Sequence, residues 1–268
     1  MLNVTARIRR TTRNTAYSRG VSSSATNAAA WDRHSAAYQQ GASLPTDVAH
    51  YGPDIATEAE LRLLGDLQGK RVLELGCGGA QCSIAFAKHG AVALGVDFSA
   101  EQLAFAKRLC EREGVRVELH HGDLADLAFV RAESIDLVFS SYAFGYVEDL
   151  SRVFRQVHRV LKRGASLVFS LPHPAYDMID DDDPDNPLLI RRSYFDRRPI
   201  DYEWNGIEFT DYHHTISELY MGLTRTGYRV DLLAEPEPNQ SGPRSIFWRE
   251  AFRYVPRTLV VRARKEGI

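Results

Sequence analysis

Between residues 71 and 172 the apolar positions keep a regular beat. Five runs have strand length: RVLELG (71–76), AVALGVDF (91–98), VRVELHHGD (115–123), SIDLVFSS (134–141) and ASLVFSLP (165–172). Between them lie QCSIAFAKHG (81–90), SAEQLAFAKRLCEREG (99–114) and DLSRVFRQVHRVLKRG (149–164), whose apolar residues recur at helical spacing. Ser99 sits where a helix N-cap belongs, and Gly90, Gly114 and Gly164 sit where helices end. A further short helix is expected near LADLAFV (124–130). Strands alternating with helices at this spacing predict a parallel sheet covered on both faces.

The flanks follow different rules. In ATEAELRLLGDLQGK (56–70), Thr57 and Glu60 are spaced as a capping box and Leu61, Leu64 and Leu67 share a face, which predicts a short helix leading into the first strand. Trp31, His34 or Ser35, and Tyr38 recur at helical spacing, so ordered structure is expected from about residue 31. After Pro172 the beat breaks for some forty residues, too long for an ordinary αβ connection. This insertion, about 173–213, holds an Asp and Pro cluster and then alternating aromatic strands around Asn205-Gly206, a type I′ hairpin signal. A helix over TISELYMGLTRTG (215–227) and strands YRVDLLAEPE (228–237) and TLVVRARK (258–265) close the chain.

Composition narrows the class. The chain has 268 residues, of which 44% are hydrophobic and 25% charged, as expected of one soluble α/β domain, residues 31–268, with appendages. No apolar run approaches the roughly 18 residues that span a bilayer, so neither a membrane span nor a membrane partner is expected. Cys77, Cys82 and Cys110 show neither disulfide arithmetic nor CxxC metal spacing, which points to a reducing, cytoplasmic setting and to no metal. The net charge of −2 is uneven: Arg7, Arg9, Arg10, Arg13 and Arg19 stand among the first 31 residues without an acid, leaving −7 on the remainder. An acidic body argues against a nucleic-acid surface. For residues 1–30 three readings remain open: a flexible extension, a transit segment, or an arm exchanged within a homo-oligomer.

The chemistry concentrates at VLELGCGGA (72–80). A dinucleotide fingerprint GxGxxG would need its third glycine at position 81, where this chain has Gln81. Glu74, two residues before Gly76, would repel a pyrophosphate but attract an amino group. Glycines at 76, 78 and 79 let the backbone approach a ligand closely, and Asp97 stands about twenty residues on, where a carboxylate accepts hydrogen bonds from a ribose diol.

VLELGCGGA resembles motif I of the class I S-adenosylmethionine-dependent methyltransferases. The resemblance extends through Asp97, HGDL (121–124) and FSSYAFGYV (139–147), covering residues 50 to 172 and the closing strand. It implies a Rossmann-like fold with a mostly parallel seven-stranded sheet, helices on both faces and an aromatic insertion after the fifth strand. It also implies S-adenosylmethionine as cofactor. By that resemblance Glu74, Gly76, Cys77 and Gly78 form the cradle, Phe98 and Gln102 flank ribose and adenine, Gly122 and Asp123 meet the adenine edge, Leu124 packs on the ring, and Ser140 lies beside the methionine portion. An NAD(P)-dependent oxidoreductase and a non-catalytic cofactor-binding regulator are the competing readings.

Methyl transfer from a sulfonium is a direct displacement, so positioning comes first and a base is optional. His173, at the end of the fifth main strand, and Tyr142, after the fourth, are the catalytic candidates. The acceptor wall is expected from Tyr38, Tyr51, Phe144, Tyr202, Trp204 and His214; His213 and His214 would point to opposite sides, so at most one of them faces the pocket. Tyr194, Phe195, Phe209 and Tyr212 add to the aromatics, and the acidic run Asp180 to Asp183 reads as a solvated loop. This density of aromatics favours a planar or lipophilic small molecule. The resemblance is to enzymes that tailor bacterial natural products in secondary metabolism, including those that methylate carbon on prenylated indoles.

Overall fold

The computed structural model describes residues 8–10, 23–180 and 185–266. In chain order the elements are β1 (Ile8–Arg10), α1 (Ser23–Ala42), α2 (Glu58–Leu61), β2 (Arg71–Leu75), α3 (Gln81–Lys88), β3 (Val92–Asp97), α4 (Ala100–Glu113), β4 (Val117–His121) and β5 (Ile135–Ser141). There follow α5 (Leu150–Val160), β6 (Leu161–Pro172), β7 (Ile179–Asp180), β8 (Leu189–Ile190), β9 (Ile200–Trp204), β10 (Ile207–Asp211), α6 (Ile216–Arg225), β11 (Tyr228–Ala234) and β12 (Thr258–Lys265).

The central sheet has seven strands in the order β11-β12-β6-β5-β2-β3-β4. Parallel pairing joins β4 to β3, β3 to β2, β2 to β5 and β5 to β6, while β12 runs antiparallel to both of its neighbours. Strand order reverses on either side of β2, and in open α/β sheets the crevice at such a switch point, beyond the strand C-termini, is where ligands bind. Both faces are covered. α5 buries Leu150, Val153, Phe154 and Val157 at helical spacing on one face, and α3 buries Cys82, Ala85 and Phe86 on the other.

Three expected helices are shorter than their patterns, each for a local reason. α2 stops because Arg62 turns left-handed at φ 52° and the Glu58 carboxylate takes the Leu63 and Leu64 N–H groups at 2.9 Å each; Leu63, Leu64 and Leu67 are still buried. α5 ends at Val160 rather than Gly164, because Leu161 pairs with Ile135 in the sheet. Residues 124–130 form single turns instead of a helix. Their carbonyls at Ala125, Leu127 and Val130 are taken by the guanidinium groups of Arg152 and Arg159.

The N-terminal expectation needs a correction. The helix begins at Ser23, eight residues earlier than the aromatic spacing suggested, and Ile8–Arg10 adds a strand to the insertion by pairing with β9. Residues 1–7 and 11–22, on which the arm and targeting readings bear, lie outside the described residues, as do Asp181, Asp182 and Asp183. The hairpin at Asn205-Gly206 forms as its residues require, both having positive φ (52° and 79°). With β1 it makes a three-stranded sheet, and Asn27 of α1 clips onto it through two hydrogen bonds with the Thr210 backbone (2.8 and 3.0 Å). Together α1 and this small sheet roof the C-terminal edge of the main sheet. Among the described residues, no helix is long and apolar enough to cross a membrane.

Candidate active site

One cavity of about 450 Å³ opens at the switch point, a size typical of small-molecule sites. Its floor is the turn after β2. Gly76 has φ 66°, and a Cβ there would collide with the Ala143 methyl. Gly78 has φ 50°, and a Cβ on Gly79 would lie 2.7 Å from Gln39 Nε2. Gly76→Ala is therefore expected to cost about 2 kcal/mol of stability, combining the left-handed backbone penalty with overpacking; denaturant unfolding measures it, and a loss below the error of the method would contradict the close packing inferred for this turn.

Two buried carboxylates face this floor. Glu74, 3% exposed, accepts from Ser83 N–H at 2.8 Å and from Ser83 Oγ at 2.5 Å. Burial pushes it up to about 8, with the nearby Asp97 charge adding to the rise against the Ser83 hydrogen bonds. Asp97 ends β3. Its Oδ2 accepts from Gly78 N–H at 2.8 Å and its Oδ1 from Ser99 N–H at 2.9 Å, and burial lifts it to about 6. One carboxylate thus ties the glycine turn to the head of α4. Each of its oxygens keeps a second lone pair for a ligand hydroxyl.

α1 completes this half of the site. Asp32 accepts from Ser99 Oγ at 2.7 Å and Glu101 N–H at 3.1 Å, so it holds α1 against the start of α4. A row of amides crosses the turn: Gln81 Nε2 donates to Gln39 Oε1 (2.6 Å), and Gln39 Nε2 donates to Gln102 Oε1 (2.7 Å). The residue that occupies the third glycine position of the dinucleotide pattern therefore anchors the cover helix. Neither Asp32 nor Gln39 carries a motif signal; only the docking of α1 reveals them.

The cavity wall includes Glu74, Gly76, Cys77, Gly78, Asp97, Phe98, Gln102, Gly122, Asp123 and Leu124 from the expected cofactor set. Cys77 packs over Gly95, and burial raises its thiol well above the usual range, so it is a packing group rather than a nucleophile. Asp123 spends Oδ1 on Ala125 N–H at 2.8 Å. Ser140 departs from expectation: it is fully buried with Oγ donating to Leu75 O at 3.0 Å, because its side of β5 faces the neighbouring strand ends. Ser141 reaches the cavity in its place, beside His50, which burial pushes down to about 4.

Of the acceptor-side candidates, Tyr38, Tyr142, Tyr202 and Trp204 line the cavity. Four do not. Tyr51 is fully buried against Phe139, with its hydroxyl on Glu58 at 2.5 Å. Phe144 is fully buried against Phe154 and Phe169, since the tight turn after β5 sends Ala143 and Tyr146 outward instead. His173 is 3% exposed, its Nδ1 accepting from Ala175 N–H (3.1 Å) and its Nε2 donating to Glu235 (2.8 Å). Burial lowers its pKa against the pull of Glu235, so it is a neutral brace for the insertion's first turn. His214 bonds Val147 O at 2.7 Å outside the cavity, and His213 pairs with Asp177 at 2.9 Å. Tyr142 remains on the wall in a left-handed conformation (φ 62°), its hydroxyl 2.5 Å from Thr258 Oγ1 and its pKa raised by burial. It is a fixed wall rather than a poised base.

Comparison with known proteins agrees with this geometry. A family described as "Methyltransferase domain" matches residues 73–169. An S-adenosylmethionine-dependent methyltransferase from Mesorhizobium loti superposes with a TM-score of 0.60 at 27% identity, covering 76% of this chain and 94% of that one. The ubiquinone biosynthesis O-methyltransferase of Pseudomonas syringae is 38% identical over 39% of this chain, which spans 45% of that relative's length. An uncharacterized protein of Haemophilus influenzae is 26% identical over 66% of this chain and 74% of its own.

The fold, the glycine turn and these matches make the chain a class I S-adenosylmethionine-dependent methyltransferase, and S-adenosylmethionine is its cofactor. The site fits that cofactor: Gly76, Gly78 and Gly79 leave room at the backbone, Asp97 offers diol acceptors, Glu74 offers a carboxyl group that can ionise against an ammonium group, and nothing at position 81 supplies the close approach a pyrophosphate needs.

Proposed function

We propose that this enzyme methylates a small, planar aromatic or lipophilic acceptor held under the α1 and hairpin roof. One observation carries the reading: the cavity is continuous from the glycine turn to a wall of Trp31, Tyr38, Tyr146, Tyr202, Trp204 and Phe247. Tyr38, Tyr146 and Trp204 pack edge to face around Trp31 with centroids 5.0 to 6.2 Å apart, which holds this part of the wall rigid. Flat rings against a flat acceptor bring binding energy without many polar contacts.

Within this reading Asp97 and Gln102 hold the nucleoside, Glu74 the amino-acid end, and the cofactor supplies an activated methyl group on a sulfonium sulfur. The aromatic wall keeps water away from that group and orients the acceptor toward it. The polar groups of the wall, with Trp204 Nε1, a donor, lacking a hydrogen-bond partner among the described residues, favour an acceptor that presents a heteroatom lone pair over the carbon of a prenylated indole. Transfer of a radiolabelled methyl group to a panel of phenols, indoles and aliphatic alcohols tests this. Labelled product is expected only with planar acceptors; turnover confined to aliphatic acceptors would refute the reading.

A further inference from the structure

Four side chains from separate parts of the chain meet on the acceptor wall. Trp31 comes from α1, Tyr146 from the turn after β5, Tyr202 from β9 and Asp211 from β10, and all four line the cavity. Tyr146 Oη and Tyr202 Oη are 3.1 Å apart. Trp31 stands edge-on to Tyr146 with ring centroids 5.8 Å apart, and the Asp211 carboxylate is near enough for its charge to act on both tyrosines. A carboxylate only accepts and each hydroxyl both donates and accepts, so a proton entering at Tyr146 can pass to Tyr202 and on toward Asp211.

We propose that Tyr146, Tyr202 and Asp211 form a proton relay for a hydroxyl-bearing aromatic acceptor. This rests on the acceptor reading above and deepens it by naming the acceptor group. The acceptor O–H bond breaks and its proton passes to Tyr146 Oη. The Tyr146 proton passes to Tyr202 Oη, and the Tyr202 proton to the Asp211 carboxylate. The acceptor oxygen keeps the bonding pair and becomes the nucleophile, while Asp211 ends as a neutral acid. Burial, and next the Asp211 charge, holds both tyrosines well above the ordinary range. They therefore remain hydroxyls that pass protons on, and the carboxylate is where the proton comes to rest.

In this scheme Tyr146 touches the acceptor and is the catalytic residue, whereas Tyr202 and Asp211 are positioning residues. The probe is 4-nitrophenol, whose phenolate is coloured, with 4-nitroanisole as the same ring without the proton. Both are titrated into the full-length enzyme holding S-adenosylhomocysteine. At a pH below the phenol's own pKa, the wild type is expected to show bound phenolate. Asp211→Asn and Tyr146→Phe are expected to lose that signal and to bind the phenol about tenfold more weakly, with anisole binding unchanged. S-adenosylhomocysteine affinity, measured by calorimetry, should stay the same and show that the variants fold. Failure of both probes to bind would sink the aromatic-acceptor reading and the relay with it. Anisole binding with a phenol response unaltered in the variants would overturn the relay alone.

Discussion

Replacing Asp97 with alanine should weaken S-adenosylhomocysteine binding about 100-fold, as read by titration calorimetry. The size follows from two losses of about 1.5 kcal/mol or more each, on the scale of hydrogen bonds to charged groups. The ligand's ribose hydroxyls lose their acceptor, and the Gly78 and Ser99 N–H groups lose the carboxylate that fixes the glycine turn to α4. Asp97→Asn keeps one acceptor oxygen and should fall between, at about tenfold. Neither change should unfold the protein. A buried carboxylate lifted to about 6 costs stability when ionised, so removing it is tolerated. An affinity within twofold of wild type for Asp97→Ala would remove Asp97 from the ribose site.

The second large effect concerns Glu74 and pH. Its folded value, pushed up to about 8 from an ordinary 4.5, is raised, so the native state binds its proton more tightly than the unfolded state does. The stability this group contributes is therefore complete below pH 4.5 and is lost as the pH rises through about 8. Glu74→Gln, which needs no ionisation, should melt like wild type at the acid end of that window and higher than wild type at its alkaline end. Binding should couple to the same proton. At neutral pH Glu74 is protonated in the free protein, and pairing with the ligand's ammonium group requires the carboxylate, so binding should release up to one proton. Calorimetry in buffers of different ionisation enthalpy measures that release. It should vanish in Glu74→Gln; an unchanged release would detach Glu74 from the ammonium site.

The half of the cavity around the glycine turn was legible because its residues are local. Glu74, Gly76, Cys77 and Gly78 are consecutive with a strand end, and Asp97 and Asp123 end or follow the next strands in the alternation. Strand periodicity therefore delivers them to one edge. Gln81 was legible only as a departure from the dinucleotide pattern; its bond to Gln39 depends on where α1 docks. The aromatic half of the cavity was legible as a density of rings but not as a set of positions. Tyr202 and Trp204 alternate on β9 and reach the cavity together. Tyr51 and Phe144, equally aromatic, are buried in the core. In a turn, orientation depends on backbone conformation that no periodicity encodes.

His173 shows the same limit. It stands at a strand C-terminus, where catalytic groups collect, yet Glu235 on the far connection and Arg257 on the approach to β12 claim its side chain and backbone. Tyr146 and Asp211 were passed over because neither has a local signal. They are 65 residues apart and meet through Tyr202. By itself the sequence determined the sheet, its C-terminal edge and the glycine turn after β2, since those follow from short-range alternation and turn chemistry. Which aromatic rings line the cavity, and which acids and hydroxyls adjoin them, was decided only by the packing of α1 and the hairpin over that edge, because contacts between distant segments depend on how whole elements dock.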